Sequence, residues 1–236
     1  MDLSALKNIT AVLVHGAWAE CASWNSVIPI LEKTGLATRC APLPLTSLSD
    51  DVRALDRSLA RIEGDIVLVG HAYAGAVIGA TKNERVKLLI YVAALAPDEG
   101  ETVADVFYRD PPHPEAPQLA PDADGYIWMP VDGFDRAFAQ NASAELKALL
   151  RATQRPINVK CLQEKAPKPL WKSRPSWFLV AENDRMIPLK TQRFEAERTK
   201  AIIREKSVDH SPMLTAPSLV GEVIRDAVRA TFPCYP

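Results

Sequence analysis

Four short apolar runs punctuate the chain: AVLV (11–14), IVLV (66–69), LLIYV (88–92) and WFLVA (177–181). None carries a charge, and none alternates apolar with polar residues. A strand with one wet face has to alternate, because successive side chains point to opposite sides of the sheet. Runs that do not alternate suit strands covered on both faces, as in a parallel sheet sandwiched between helices. TRCAPL (38–43) and AIIREK (201–206) are weaker strand candidates.

Helical patterns fill the intervals. SDDVRALDRSLARI (49–62) places Val52, Leu55, Leu59 and Ile62 at steps of three and four. Ser49 is its predicted cap, and Asp50 and Asp51 suit the positive end of the helix dipole. AYAGAVIGATKN (72–83) reads as a helix packed closely through its small residues. TAPSLVGEVIRDAVRATF (215–232) sets Leu219, Val223, Ile224 and Val228 on one stripe. Strands alternating with helices predict an α/β chain with a doubly wound, mainly parallel sheet and right-handed crossovers.

Residues 101–172 interrupt this rhythm. They hold no convincing buried strand, include the proline-rich RDPPHPEAPQLAP, and contain the helical stretch SAELKALLRAT (143–153). An insertion of this length is expected to be a lid rather than a linker. Its large residues Phe107, Tyr108, Tyr126, Trp128, Met129, Phe134 and Phe138 are expected mainly to pack the lid onto the core. A few of them line an apolar pocket in this reading. Phe107 and Trp128, with Trp18 from the first half of the chain, are the candidate substrate-binding residues. Trp18 and Trp24 are also expected to pack the helix that follows the first strand.

A chain of 236 residues is expected to be one domain, 1–236, with this insertion at about 101–172. A formal net charge of -1 supplies no bulk field that would draw nucleic acid or an anionic membrane. No stretch approaches the roughly 20 apolar residues of a membrane helix. The opening MDLSALKNIT shows no basic leader followed by an apolar block, so a cytoplasmic protein is expected. Cys21, Cys40, Cys161 and Cys234 lack metal-binding spacing and read as incidental thiols in a reducing compartment.

The chemistry gathers behind the strands. GHAYAG (70–75) follows a strand at once and leads into a helix, which is the layout of a nucleophile elbow. Such a turn holds its central residue in a strained conformation and needs small neighbours, here Gly70 and Ala74. Backbone N–H groups and the dipole of the following helix favour negative charge beside the apex. The apex is Ala72. In VLVHGAW (12–18), Gly16 allows a tight reversal after a strand. The N–H of Ala17 and that of Tyr73 could then converge as an oxyanion hole. AENDRMIP (181–188) supplies Asp184 as the candidate acid, with Glu182 in reserve; SVDHSPMLTAP (207–217) supplies His210 as the candidate base, with Asp209 a weaker acid. Elbow, acid and histidine in that order match the α/β-hydrolase arrangement. His15 and His71 are expected to hydrogen-bond structurally, and His113 to face solvent.

LVHGAW, LVGHAYAGAVI, YVAALAPDEGE, AENDRMIP and DHSPMLTAP together make the chain closely resemble the α/β-hydrolase superfamily. Within it the resemblance is to the small lidded group of esterases, plant methylesterases and hydroxynitrile lyases, and it covers nearly the whole chain. The resemblance implies a six-stranded parallel sheet, a helical cap after YVAALAP, and no metal or organic cofactor. It also implies the nucleophilic serine's place for Ala72, the acid's for Asp184, the base's for His210, and the oxyanion donors' for Ala17 and Tyr73. The implied partner is a small molecule, an apolar or aromatic ester, and an exposed lid leaves a homodimer open.

Ala72 departs from that pattern, and it decides the mechanism. A methyl group cannot form an acyl-enzyme. Cys21, Ser23 and Ser211 are the nearest substitutes in sequence, and a packing role is favoured for each. Three accounts remain. The chain is an inactivated, substrate-trapping variant of a serine esterase; or it carries alanine by nature and performs decarboxylation or C–C lyase chemistry with His210, Asp184 and the oxyanion donors; or it only binds a small molecule.

Overall fold

The computed structural model describes residues 8–233, so Cys234 and the first seven residues lie outside the account that follows. The main sheet has six strands: β1 (Ile9–Val14), β2 (Ala37–Ala41), β3 (Asp65–His71), β4 (Val86–Val92), β7 (Ser176–Ala181) and β8 (Ile202–Lys206). Their spatial order is β2-β1-β3-β4-β7-β8, and every neighbouring pair is parallel. The intervening β5 (Tyr126–Ile127) and β6 (Ile157–Asn158) form a separate two-stranded antiparallel pair. All six strand segments read from the sequence are present, the two weaker ones as the sheet's edges.

The missing alternation has its expected cause. Val12, Val14, Leu68, Leu89, Phe178 and Val180 enter one apolar cluster, shared with α2 (Leu48–Leu59) and α3 (Ala74–Ala80). Ala11, Leu13, Val67, Val69, Leu88, Ile90 and Leu179 enter a second, shared with Trp24 and α10 (Pro217–Thr231). Odd and even positions are thus both buried, on opposite faces of one sheet. Helix α2 starts two residues earlier than its pattern suggested. Its cap is Ser47, whose side chain accepts from the Asp50 amide at 3.0 Å, rather than Ser49.

Residues 101–172 leave the main sheet after β4 and return at β7. They form α4 (Val103–Phe107), the β5–β6 pair, α5 (Val131–Gly133), one π-helical turn (Phe134–Phe138), α6 (Ala144–Thr153) and α7 (Lys160–Gln163). Phe134 and Phe138 are fully buried, as is Met129 almost completely, so the segment is seated on the core rather than swinging from it. Glu195, in α8 (Leu189–Arg198), holds its root. The carboxylate accepts from the Ala96 amide at 2.7 Å and from Arg198 at 3.0 Å, and Arg198 also reaches Glu101 at 2.7 Å.

Helix α3 approaches the chain after β4 so closely that its residue sizes are fixed. A Cβ added to Gly75 would lie 2.3 Å from the Leu95 carbonyl oxygen, a backbone atom that cannot swing aside. At Gly79, in the same helix, the nearest neighbour would be the Tyr91 hydroxyl at 3.6 Å, an ordinary contact. Gly75→Ala is therefore expected to destabilise the protein by about 1–3 kcal/mol through overpacking. Gly79→Ala is expected to be neutral or to stabilise it by up to about 1 kcal/mol through helix propensity. Paired thermal melts check this; equal losses at the two positions would contradict the packing described.

Candidate active site

Parallel strands deliver their C-terminal ends to one edge, and five loops meet there. The turn after β3 puts Ala72 at a backbone φ of 49°, the left-handed region that ordinary residues rarely occupy. It is held in place from both sides: its amide donates to the Val92 carbonyl at 3.2 Å, and its carbonyl accepts from the amides of Gly75 and Leu95 at 3.0 and 3.1 Å. Gly70 has no room for a side chain, since a Cβ would sit 2.9 Å from the Ala74 carbonyl oxygen. These are the constraints of a strand–turn–helix elbow.

The turn after β1 closes against the elbow. A Cβ on Gly16 would lie 3.0 Å from His71 Nδ1 and 3.1 Å from the Ala72 methyl carbon. Ala17 and Tyr73 line the same cavity as Ala72. Among the described residues, no protein acceptor takes the amide proton of either Ala17 or Tyr73. Trp18 is also in the left-handed region, at φ 56°, and its indole N–H donates to the Ile127 carbonyl at 2.9 Å. That bond ties the turn to the inserted segment.

Asp184 and His210 meet across the loops after β7 and β8. His210 Nδ1 is 2.8 Å from Asp184 Oδ2, and both residues are almost fully buried. The carboxylate is fixed by further donors: the amides of Met186 and Ile187 at 2.7 and 2.9 Å to Oδ1, and Gln192 Nε2 at 2.9 Å to Oδ2. With Nδ1–H donating to the carboxylate, the lone pair of Nε2 is left for the cavity that His210 lines. Phe138 packs edge-on against the imidazole at 5.4 Å between ring centres, and shields it.

The other histidines hold the frame. His71 Nε2 donates to the His210 carbonyl at 2.7 Å. Burial first, and the neighbouring His210 second, push its pKa well below the ordinary value, so it is neutral. His15 is neutral too, its pKa lowered to about 4 by burial; Nδ1–H donates to the Gly16 carbonyl, while Nε2 accepts from the Leu43 amide. His113 is half-buried rather than solvent-facing, and its Nδ1 accepts from the Glu115 amide.

The loops and the inserted segment enclose a narrow cavity of about 40 Å³, counted as the space open to the centre of a water molecule. Ala17, Trp18, Ala72, Tyr73, Phe107 and His210 line it, with Tyr108 and aliphatic side chains completing the wall. Trp128 does not. It follows directly on the end of β5, is 52% exposed, and its indole N–H donates to Asp122. The substitute nucleophiles are absent from the wall as well. Ser23 donates to the Glu20 carbonyl and Ser211 to the Phe138 carbonyl. Glu182 pairs with Ser207 away from the cavity, and Asp209 braces its own loop through Asn141, Ser211 and Thr215. No group of three or more His, Cys, Asp or Glu among the described residues is placed to hold a metal ion. No described helix is long and apolar enough to cross a membrane.

Asp51 is the residue the sequence reading missed. It sits in the first turn of α2, where an acid ordinarily faces solvent, yet it is fully buried. Its Oδ2 accepts from the Tyr73 hydroxyl at 2.7 Å and from the Cys161 thiol, and its Oδ1 from the Leu45 amide. It thus anchors the side chain of the residue after the elbow apex. Burial without a paired cation raises its pKa from 3.8 to about 6. A raised carboxylate pKa means that the folded state holds the proton more tightly. The group's contribution to stability is present below the unfolded value and is lost as pH rises through about 6. Asp51→Asn removes that loss, worth at most about 3 kcal/mol. Its melting temperature relative to the parent should therefore be higher at about pH 8 than at about pH 4. A relative stability that stays constant or falls with pH would contradict this assignment.

A sequence model described as the alpha/beta hydrolase family matches residues 11–223. The chain is 23% identical to "Alpha/beta hydrolase nvfD" of Aspergillus novofumigatus (strain IBT 16806), over 92% of this chain and 95% of that protein. Its fold is similar to that of polyneuridine aldehyde esterase, with a TM-score of 0.81 at 20% identity over 93% of this chain and 98% of the other. It is similar to that of the pyrethroid hydrolase PytH, with a TM-score of 0.78 at 21% identity over 95% and 99% of the two chains. A parallel sheet, a strained strand–turn–helix elbow and a match over most of the length agree: this chain belongs to the alpha/beta hydrolase family.

Proposed function

We propose that the chain carries the site of a carboxylic ester hydrolase of the Ser-His-Asp type, with Ala72 standing where the nucleophilic serine acts. The observation that carries this reading is the 2.8 Å contact between His210 and Asp184, behind a cavity shared with Ala72, Ala17 and Tyr73. In such a site the imidazole takes the serine proton, the carboxylate holds its tautomer, and the two amides receive the charge on the carbonyl oxygen. Without an oxygen on residue 72, no acyl-enzyme forms, and this chain is inactive as an esterase by that route. The substrate is a small, apolar or aromatic ester: a water needs roughly 10–15 Å³ in this measure, so the cavity admits only a small group in the shape described. The inserted segment acts as the cap. That fold relatives are named esterase and hydrolase supports the class of reaction.

A second reading is favoured by the state of the remaining groups. Asp184 accepts from four donors and His210 keeps a free nitrogen toward the cavity, an investment of order that proton transfer alone would justify. Decarboxylation or C–C lyase chemistry needs an acid–base group and a hole for an enolate, with no covalent serine.

Ala72→Ser tests the first reading. Position 72 already holds the elbow conformation, so the exchange adds a single oxygen at the cavity wall. Hydrolysis of 4-nitrophenyl acetate is expected to rise at least about a hundredfold over the parent, well within the loss recorded when a triad member is removed. A rate no higher than that of the Ala72→Ser, His210→Ala double variant would overturn the assignment. For the second reading, the unaltered chain is incubated with β-keto acids. Product that depends on His210 supports it, and none leaves the cavity as a binding site.

A further inference from the structure

Cys21 and Cys40 are 19 positions apart, yet the fold makes them neighbours. The 3₁₀ turn Cys21–Trp24 follows the Gly16–Trp18 loop, and β2 passes beside it as an edge strand of the sheet. The Cys40 thiol lies 3.9 Å from the Cys21 carbonyl oxygen, to which it donates, and this contact brings the two cysteine side chains together. Both are free and half-buried, whereas Cys161 is buried against Asp51. The pair is asymmetric. The neighbouring Cys40 thiol, and then Arg155, hold the Cys21 thiol below its ordinary pKa against the opposing effects of burial and Glu20. The same contact drives the Cys40 thiol up. In thiol–disulfide exchange the thiolate is the attacking species, which gives Cys21 the first step and Cys40 the second.

We propose that Cys21 and Cys40 form a dithiol site that reacts with a small disulfide of the glutathione class and closes to an intramolecular Cys21–Cys40 bond. The Cys21 thiolate attacks one sulfur of glutathione disulfide. That S–S bond breaks, one glutathione thiolate leaves and takes up a proton, and a mixed disulfide remains on Cys21. The Cys40 thiol then loses its proton and attacks the Cys21 sulfur, expelling the second glutathione. Two protein thiols are oxidised and one glutathione disulfide is reduced to two glutathiones. The new bond ties the turn that follows Ala17 and Trp18 to β2, and so fixes the loop carrying one of the unpaired amides.

The test treats the reduced full-length chain with glutathione disulfide, counts thiols, and maps the peptides by mass spectrometry. The expected result is the loss of two of the four thiols and recovery of Cys21 linked to Cys40. Cys40→Ser is expected to stop at a stable glutathione adduct on Cys21, and Cys21→Ser to leave Cys40 unmodified. The proposal is overturned if no thiol is lost, if the lost thiols map to Cys161 or Cys234, or if the unaltered chain keeps a glutathione adduct on Cys21 with Cys40 still reduced.

Discussion

The contact that everything else depends on is the one between the first loop and the elbow. Gly16 lies so close to His71 and Ala72 that a single added carbon would press on both. Such an approach needs two strands ending side by side at the same height, and β1 and β3 supply it: Val14 is registered with Gly70. With the backbones that close, Ala17 and Tyr73 line one small cavity. The His71 ring, buried and neutral, passes the same order outward by donating to the carbonyl of His210. The His210–Asp184 pair and the elbow are thus linked through the buried His71 ring.

The inserted segment completes the site by exclusion. Phe138 covers the imidazole, and Trp18 fastens the first loop to Ile127. A hydrogen-bonded imidazole–carboxylate pair in an apolar enclosure interacts more strongly than it would in water, because little solvent screens it. The same enclosure presents Ala72 and Tyr73 of the elbow to the cavity. The methyl group of Ala72 offers a ligand no nucleophilic oxygen.

Much of this was legible in the sequence, for physical reasons that differ from part to part. The sheet was legible because strands buried on both faces leave unbroken apolar runs, whereas edge strand β8, IIREK with no buried residue, left only a weak trace. The elbow, Asp184 and His210 were legible because the turn chemistry and the chain order leave few alternatives. Asp51 was not, since an acid in a first helical turn ordinarily serves the dipole, and only the position of Tyr73 draws it inward. Trp128 misled because size and apolarity do not reveal that a residue just past the end of a short strand faces solvent. The Cys21–Cys40 contact was hidden because it arises from the docking of a loop on an edge strand, which no spacing encodes.

The most direct measurement is a crystal structure of the unaltered chain soaked with 4-nitrophenyl acetate. The account predicts an intact ester beneath the inserted segment, its carbonyl oxygen between the amides of Ala17 and Tyr73 and its carbonyl carbon against the Ala72 methyl. An ester bound elsewhere, or one whose carbonyl points away from both amides, would contradict it.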